Sequence, residues 1–252
     1  MKESFEKIYH EIEKKHFWFK SRRKYIVGLL KKYPRHISIL DIGCSSGILL
    51  HELAECGFDS SELYGIDISE NAIQNCKNNG LENTFVMDAQ SIQLNKKFDV
   101  LIASDCLEHL KNDTKALENW YGLLKQDGVL LVFVPAFMLL WSDHDVANMH
   151  FRRYTKTDLK KKLTDRGFKI DKSGYWNFFL FVPILCVRIL GNLRKSNKKS
   201  SSGDLNKPSL FNGLLFQLIN FENKLLSFIN FPFGVSTFCI AKKSTPARKS
   251  LT

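Results

Sequence analysis

The chain of 252 residues is 44% hydrophobic, which is enough apolar sequence for one α/β domain with a core of ordinary size. Its six cysteines include no Cys-x-x-Cys pair, which argues against a zinc ribbon and against a disulfide framework. The formal net charge of +11 leaves an anionic partner open, and the charged N-terminus without an apolar segment predicts no secretory signal and a cytoplasmic chain.

Helices and strands alternate along most of the sequence. Two amphipathic helices are predicted first, near residues 3–15 and 21–32, and form an N-terminal helical cap over residues 1–35. Strands are then predicted near 37–42, 62–66, 84–87, 98–103 and 128–134, with helices near 47–56, 70–79 and 113–125. This alternation predicts a parallel sheet, whose ligands bind at the carboxyl ends of the strands.

The first predicted strand runs into a glycine-containing loop, DIGCSSG, that ends at Gly47. Gly43 and Gly47 carry no Cβ and tolerate positive φ, so the backbone can approach a ligand closely, and the helix behind them offers free amides. Asp41 would repel a pyrophosphate and suits a cationic ligand. Asp67, about 20 residues beyond the loop, ends the second strand, where its carboxylate can accept bonds from both ribose hydroxyls.

Five motifs stand in order along the chain: LDIGCSSG (40–47), YGIDIS (64–69), VMDAQSI (86–92), FDVLIASDCLEHL (98–110) and LLKQDGVLLVFVPAF (123–137). Together they resemble the motifs of the class I S-adenosylmethionine (SAM)-dependent methyltransferases, over a core of residues 36–175 and a final strand. The family usually has a glycine where this chain has Ser45. The resemblance implies an α/β, Rossmann-like methyltransferase sheet of seven strands, mostly parallel with one antiparallel strand, and helices on both faces.

The same resemblance implies SAM as the cofactor and S-adenosylhomocysteine as its product. Asp67 would bind the ribose, Asp88 would accept a bond from the adenine amine, and the Ala89 amide would face the ring. The cluster HFWFKSRR, at the junction of the opening helices, either packs those helices together or forms a lid in which Arg23, expected to be the deeper arginine, pairs with the cofactor carboxylate. The predicted cofactor-binding residues are Asp41, Gly43, Cys44, Gly47, Asp67, Ile68, Asp88, Ala89, Asp105 and Arg23.

Three polar residues follow the fourth predicted strand. Asp105, Glu108 and His109 are spaced i, i+3 and i+4, so a helical turn would place them on one face. They could hold a divalent ion, as in some methyltransferases with a similar Glu-His pair, or they could support the cofactor pocket. We favour support of the pocket and predict no metal site.

A long polar and aromatic connection follows the fifth strand, and such loops commonly carry function. We predict that it binds an anionic acceptor through Trp141, Arg152, Arg153 and Tyr154. His144, which lies between two aspartates, is the predicted general base, because a neighbouring carboxylate orients an imidazole and raises its basicity; His150 and His109 are the next candidates. For the two arginines the alternative is a capping network in which Thr155 opens the next helix.

The sixth and seventh strands, GFKIDKSGYW and VSTFCIAKK, are predicted to pair although about 60 residues separate them. Residues 176–231 therefore form a predicted apolar helical insertion, before the final strand at 232–243 and a basic tail at 244–252. Its apolar part is interrupted by Pro183 and Arg188 and is too short to span a bilayer. It packs against the domain, forms a homodimer interface, or lies with its neighbouring lysines on an anionic membrane surface.

These observations favour a SAM-dependent methyltransferase acting on an amphiphilic or lipid-linked small molecule or glycan, with O-methylation preferred. The segments HFWF, LWSDHD and FPFGVSTFCIAKK resemble those of bacterial methyltransferases from glycolipid and surface-polysaccharide loci. Two alternatives remain: a nucleic-acid methyltransferase that uses the basic surface, and a SAM-binding scaffold or dimerisation protein without transfer activity. The sequence SDCL at 104–107 stands where a base-methylating enzyme would have Asn/Asp-Pro-Pro-Tyr/Phe, which argues against nucleic acid as the partner.

Overall fold

A computed structural model describes residues 12–193 and 211–244. The cationic run between these ranges, most of the predicted basic tail and the start of the predicted first helix lie outside the described residues. The helices are α1 (Phe17–Leu30), α2 (Ile48–Glu55), α3 (Glu70–Asn78), α4 (Asp113–Leu123), α5 (Asp143–Ala147), α6 (Lys156–Thr164), α7 (Phe181–Leu193) and α8 (Asn212–Leu225). The strands are β1 (Ile39–Ile42), β2 (Leu63–Asp67), β3 (Thr84–Val86), β4 (Phe98–Ser104), β5 (Leu124–Pro135), β6 (Phe168–Trp176) and β7 (Ser236–Lys243).

The described strands form one seven-stranded sheet in the order β3-β2-β1-β4-β5-β7-β6. β7 runs antiparallel to both of its neighbours, with Phe133 of β5 opposite Phe238, whereas the other neighbouring strands are parallel. The predicted fold is therefore confirmed, including its single antiparallel strand and the pairing of β6 with β7. The strand order reverses between β1 and β4, and the carboxyl ends of the strands at such a point form a crevice for ligands.

Apolar side chains cover both faces of the sheet, because successive residues of a strand point to opposite sides. In β1, Ile39 belongs to the core beneath α1 and α2, and Leu40 belongs to the core beneath α4 and α6. Every residue of β1 is buried, as expected for a parallel strand that is covered on both faces.

Helix α1 begins at Phe17, earlier than predicted. His16 caps it, since its Nδ1 accepts a hydrogen bond from the Trp18 amide at 3.3 Å. Residues 12–15 are also helical, so the predicted junction cluster lies largely within the first turns of α1. The Trp18 ring meets Trp176 of β6 edge to face, with 5.6 Å between centroids, and this contact packs α1 onto the sheet.

The insertion between β6 and β7 is part of the core, because Ile219 and Leu226 at its second helix are buried with residues of the sheet. In α8, Asn223 accepts a bond from the Trp176 indole at 2.6 Å and donates to the Ser21 carbonyl of α1 at 3.1 Å. Packing on the domain, the first of the three alternatives, thus accounts for α8. Among the described helices, none is long and apolar enough to cross a bilayer.

A buried carboxylate of α8 fixes the start of α7. Glu222 accepts hydrogen bonds from the amides of Phe178 at 3.0 Å and Phe179 at 3.2 Å, where the chain has just left β6. Burial raises the pKa of Glu222 even though these amides favour its charged form. The position of α7 therefore depends on a residue more than 40 positions further along the chain.

Candidate active site

The carboxyl ends of β1, β2 and β4 open into one cavity of about 1100 Å³. Asp41, Asp67 and Asp105, which end or follow these strands, line its floor, and α1 and α7 contribute Trp18 and Val187 to its walls. Pockets for one small molecule usually measure about 300–1000 Å³. This cavity therefore has room for a cofactor and a second molecule.

The loop between β1 and α2 contains residues in the left-handed backbone conformation. Gly43 and Ser45 have φ angles of +79° and +49°, so Ser45 holds a conformation that glycine adopts more easily. The Asp67 carboxylate accepts hydrogen bonds from the amides of Ser45 at 3.0 Å and Ser69 at 2.9 Å. These bonds fix the position of Asp67 in the cavity wall, where the sequence predicts a contact with the ribose.

Gly47, predicted to contact the cofactor, does not line the cavity. It precedes α2 with a φ angle of +75°. A Cβ at this position would collide with Leu81 and would approach the Cys76 sulfur at 3.0 Å. Gly47 is therefore required for the close packing of the loop. The other two predicted loop residues, Gly43 and Cys44, do line the cavity.

Asp41 is buried beneath the loop. Burial, with the carboxylates of Glu13 and Asp67 nearby, raises the pKa of Asp41 to about 8. A bound positive charge would offset both the loss of solvation and the repulsion among these three groups. The floor of the cavity thus fits a cationic cofactor, as predicted from Asp41.

The wall beside β2 fits a flat ring. Ile68 lines the cavity and is 76% exposed, which is unusual for a large apolar side chain in a pocket. Asp88 and Ala89 also line it, and Asp88 holds its turn by accepting a bond from the Gln90 amide at 2.8 Å. An adenine ring bound here would cover Ile68, so the residues present fit SAM at its ring, its ribose and its cationic end.

Arg22 is the deeper arginine of α1, with 2% of its surface exposed against 7% for Arg23. The expectation that Arg23 lies deeper is therefore wrong. Arg23 does line the cavity, but its guanidinium donates to Glu52 and to the Glu13 carbonyl, both at 2.9 Å. Arg22 instead forms an ion pair with Asp105 in the cavity wall.

Asp105, which directly follows β4, and Glu108 and His109, on the short helical turn behind it, all line the cavity. Glu108 is fully buried, and neither of its carboxylate oxygens has a hydrogen-bond partner within the part of the chain that the structure describes. Burial and the nearby Asp105 raise the pKa of Glu108 well above its ordinary value. Burial, followed by the charge of His150, lowers the pKa of His109 to about 4.

The loop after β5 orients a different histidine from the predicted base. Asp145 is fully buried, lies 2.9 Å from Nδ1 of His150, and receives two bonds from Arg153 at 2.7 and 3.0 Å. His144 lines the cavity, but its ring contacts the side chain of Asn148 at 3.1 Å. The turn after α5 thus gives the Asp145 carboxylate to His150, the second candidate, and the identity of the general base stays a prediction.

Four residues of this loop were predicted to bind the acceptor: Trp141, Arg152, Arg153 and Tyr154. Of these, Arg153 alone lines the cavity. Its guanidinium is engaged by Asp145 and donates to the Ala136 carbonyl at 3.0 Å. Arg153 therefore supports the loop from beneath and has little capacity left for an anionic acceptor.

The capping alternative accounts for the other polar residues of the loop. Arg152 pairs with Asp113 at 2.9 Å, and the Tyr154 hydroxyl donates to the same carboxylate at 2.9 Å. Thr155 and Asp158 form the capping box that opens α6. Neither Arg152 nor Tyr154 reaches the cavity wall.

Two imidazoles and a carboxylate meet beside the cavity. Ligand atoms of Glu108, His109 and His150 lie within 4.8 Å of one another, and among the described residues this is the group that could hold a metal ion. Such a donor set suits a divalent transition ion that keeps open coordination positions. The absence of a metal requirement stays a prediction.

Parts of the cavity wall were not predicted from the sequence. Glu13, Arg22 and the α7 residues Ile184 and Val187 line it. The apolar spacing of α7 predicts a helix but not which surface it covers, because its position depends on Glu222 of α8. In the sequence, the feature that pointed to Arg22 was the aromatic and basic cluster HFWFKSRR, which contains it.

The family model for a methyltransferase domain matches residues 12–173 of this chain. A ubiquinone biosynthesis O-methyltransferase of Rickettsia canadensis is 25% identical over 200 residues, which cover 67% of this chain and 82% of that protein. Several other ubiquinone biosynthesis O-methyltransferases match shorter stretches, such as 105 residues at 30% identity in that of Haemophilus ducreyi, over 37% of this chain and 43% of that protein.

Solved structures show the same fold. A SAM-dependent methyltransferase from Archaeoglobus fulgidus superposes with a TM-score of 0.53 at 23% identity, over 88% of this chain and 94% of that chain. The plantazolicin methyltransferase BamL, in complex with S-adenosylhomocysteine and a desmethylplantazolicin analog, has a TM-score of 0.59 at 18% identity, over 95% and 90% of the two chains. The family match spans most of the chain, and the floor of the cavity fits the cofactor. The chain therefore belongs to the methyltransferase-domain family, with SAM as its cofactor.

Proposed function

We propose that this methyltransferase acts on a hydroxyl oxygen of an amphiphilic, lipid-linked acceptor. The observation that carries the proposal is the hydrogen bond between His150, in the cavity wall, and the buried Asp145. A carboxylate on Nδ1 orients the imidazole and leaves Nε2 to accept a proton. Relatives named O-methyltransferases in ubiquinone biosynthesis support oxygen as the accepting atom.

The residues of the chain position the acceptor and move its proton. SAM supplies a methyl group activated by its attachment to a cationic sulfur. His150 takes the proton of the acceptor hydroxyl, and Asp145 stabilises the charged imidazole that results. A bound acceptor would complete the walls formed by α1 and α7 and exclude water, and most of the acceleration would come from holding the acceptor in place.

An apolar wall supports an amphiphilic acceptor. Ile184 and Val187 of α7 face Met149 and Phe151 of the loop after β5 around the same cavity. Val187 is 61% exposed although it lines the cavity, so an apolar tail could cover it. Arg152 and Arg153 of the loop are both engaged by aspartates, which leaves these two side chains little capacity to hold an anionic head.

A second mechanism is favoured by the buried, unpartnered Glu108 beside His109 and His150. A divalent ion held by these three side chains would satisfy Glu108 and could polarise the acceptor hydroxyl. Glu108→Gln separates the two mechanisms, because an amide can replace a neutral acid but not an anionic ligand. Turnover that survives this substitution and a chelator supports the metal-free base, and turnover lost to the chelator and restored by a divalent ion supports the metal.

We also propose that α7 lies on an anionic membrane surface. Val182, Val187 and Leu190 expose apolar side chains on this helix, and Arg194 and Lys195 follow it in the sequence. Apolar burial and cations that each contribute about 1 kcal/mol beside anionic headgroups suit such a surface. A lipid-linked acceptor would then reach the cavity past Val187.

Point variants test this surface, because deletion of the insertion would also remove Ile219 from the core. Combining Val182→Asp with Leu190→Asp should reduce sedimentation with anionic vesicles, and salt should release the wild type. The control combines Leu214→Asp with Phe221→Asp, two exposed positions of α8 with the same charge change. Equal loss of sedimentation in both double variants would contradict docking through α7. A difference in molar mass between the wild type and the α7 variant in light scattering would indicate a homodimer.

The acceptor class is tested by incubating the protein with methyl-labelled SAM and separate lipid, glycan and RNA extracts. Label in lipid or lipid-linked glycan supports the proposal and the resemblance to enzymes of glycolipid loci. Label in RNA would instead support the nucleic-acid alternative. SAM binding with no label in any fraction would favour a scaffold protein.

A further inference from the structure

We infer that Glu13, on the helical segment 12–15 in front of α1, is a cofactor-binding residue that favours SAM over its product, S-adenosylhomocysteine. The inference depends on SAM as the cofactor and not on the identity of the acceptor. The inference and the proposed function can therefore fail separately. Four observations support it: the contact of Glu13 with the glycine loop, the anchoring of its segment, the state of Asp41, and the charge of the two ligands.

Glu13 reaches the glycine loop from the N-terminal side of the chain. The Ser45 hydroxyl donates to Oε2 of Glu13 at 2.8 Å, and the Ser45 amide donates to Asp67 at 3.0 Å. One loop residue thus joins two carboxylates that both line the cavity. The five sequence motifs do not include Glu13, because its place in the site depends on how the N-terminal segment folds across the loop.

Arg23 anchors the segment that carries Glu13. Its Nη1 donates to the Glu13 carbonyl at 2.9 Å, and its Nε pairs with Glu52 of α2 at 2.9 Å. The Arg23 side chain is itself buried, so both bonds are partly shielded from water. They hold the Glu13 carboxylate over the loop in a defined position.

Asp41 points to a positively charged ligand at the same place. It lines the cavity and is 4% exposed, and no donor in residues 12–193 or 211–244 forms a hydrogen bond with its carboxylate. Burial, then Glu13, then Asp67 raise the pKa of Asp41. Three carboxylates that repel one another around this loop are stabilised by a cation.

The charges of the two ligands differ by one unit. SAM carries an ammonium, a carboxylate and a sulfonium, whereas the product has lost the positive charge on sulfur. A carboxylate held in a partly buried wall attracts the cationic ligand more strongly. Glu13 should therefore strengthen SAM binding and also favour exchange of the product after transfer.

Calorimetric titration of SAM and of S-adenosylhomocysteine into the full-length wild type and Glu13→Gln tests the inference. The substitution should weaken SAM about tenfold, because the Glu13 charge attracts both the ammonium and the sulfonium across a partly buried wall. It should weaken the product about threefold or less, since the ammonium is the one positive charge that the product keeps. Glu55→Gln, which removes one exposed acid from α2, is the matched control and should change neither affinity.

Glu13→Asp keeps the charge on a shorter side chain and should give an intermediate SAM affinity. Trypsin cleavage after Lys14 and Lys15 gives a second readout, since SAM should slow it more than the product does in the wild type but not in Glu13→Gln. Wild-type affinities for both ligands in Glu13→Gln would overturn the inference. Equal weakening of both ligands would also overturn it, because Glu13 would then only support the shape of the loop.

Discussion

The imidazole of His150 and the carboxylate of Asp145 are joined by a hydrogen bond of 2.9 Å across five positions of the sequence. Arg153 binds both oxygens of the same carboxylate. A buried ion pair that stabilises the loop after β5 is thus connected directly to a histidine in the cavity wall. Chemistry and stability at this loop can therefore be tested with separate variants.

His150→Ala should lower kcat about 100-fold or more, because general-base assistance contributes on that scale. The affinity for SAM should stay close to that of the wild type, since the predicted SAM contacts at Asp41 and Asp67 lie on β1 and β2. Steady-state kinetics with the identified acceptor and calorimetry with SAM measure the two quantities.

His144→Ala is the matched control for that experiment, because it removes an imidazole that lines the same cavity but contacts the side chain of Asn148, whereas Asp145 contacts His150. We expect a much smaller loss of kcat. A larger loss in His144→Ala than in His150→Ala would return the base to His144 and contradict the assignment from the structure.

Asp145→Ala should lower the free energy of unfolding by about 3–5 kcal/mol, since it leaves the buried guanidinium of Arg153 without its partner. Urea denaturation measures this change. Asp143→Ala removes an exposed acid two positions earlier, so its effect should stay within about 0.5 kcal/mol. Similar values for the two variants would show that the ion pair does not stabilise the loop.

The same carboxylate predicts a pH dependence of stability. Burial alone would raise the pKa of Asp145, but bonds from His150 and Arg153 hold it below its ordinary value. Its contribution is therefore fully present above the unfolded value of about 3.9 and is lost as the pH falls through the folded value. In acid, the wild type should lose more stability than Asp145→Asn, and parallel pH curves would contradict this prediction.

Binding of SAM should release protons near pH 7. Burial, with Glu13 and Asp67 nearby, raises the pKa of Asp41 to about 8, so at pH 7 the carboxyl is largely protonated. A cation bound beside it favours the ionised form, so SAM affinity should rise as the pH increases toward 8. Calorimetry in two buffers with different ionisation enthalpies measures the protons released, and Asp41→Asn should release none. Equal heats in both buffers for the wild type would contradict the prediction.

Asp67→Ala should weaken SAM by about 1.5–3 kcal/mol, the usual range for hydrogen bonds to a charged group. The variant loses the predicted ribose contact and also the bonds to the Ser45 and Ser69 amides that shape the loop. Asp67→Asn keeps one side-chain oxygen that can accept a bond from a backbone amide, so it should lose less SAM affinity. Calorimetry decides this, and unchanged SAM affinity in a folded Asp67→Ala protein would remove the ribose assignment.

The fold and the cofactor side of the cavity were predictable from the sequence, because parallel strands bring their carboxyl ends to one edge. Asp41 and Asp67 follow from that rule alone, and the structure places both in one cavity. The alternation of helices and strands likewise predicted the parallel sheet, and the last two strands were predicted to pair. Local pattern and strand direction are sufficient information for these features.

The acceptor side was predictable only in part, because its contacts depend on the path of long connections. Sequence proximity favoured His144 as the partner of an aspartate, whereas the turn after α5 gives that partner to His150. Likewise, nothing near α7 in the sequence indicates that Glu222 fixes its start. Side chains that meet through a loop or an insertion cannot be paired by spacing.

The central claim, methyl transfer from SAM to an oxygen of a lipid-linked acceptor, is tested most directly by the chemistry of the labelled product. Wild-type protein, carbon-13-methyl SAM and the lipid extract are incubated, and the product is examined by nuclear magnetic resonance and mass spectrometry. The account predicts a labelled methyl ether on a lipid-extractable molecule, with little product from His150→Ala. A label on nitrogen, on carbon or on nucleic acid would contradict it.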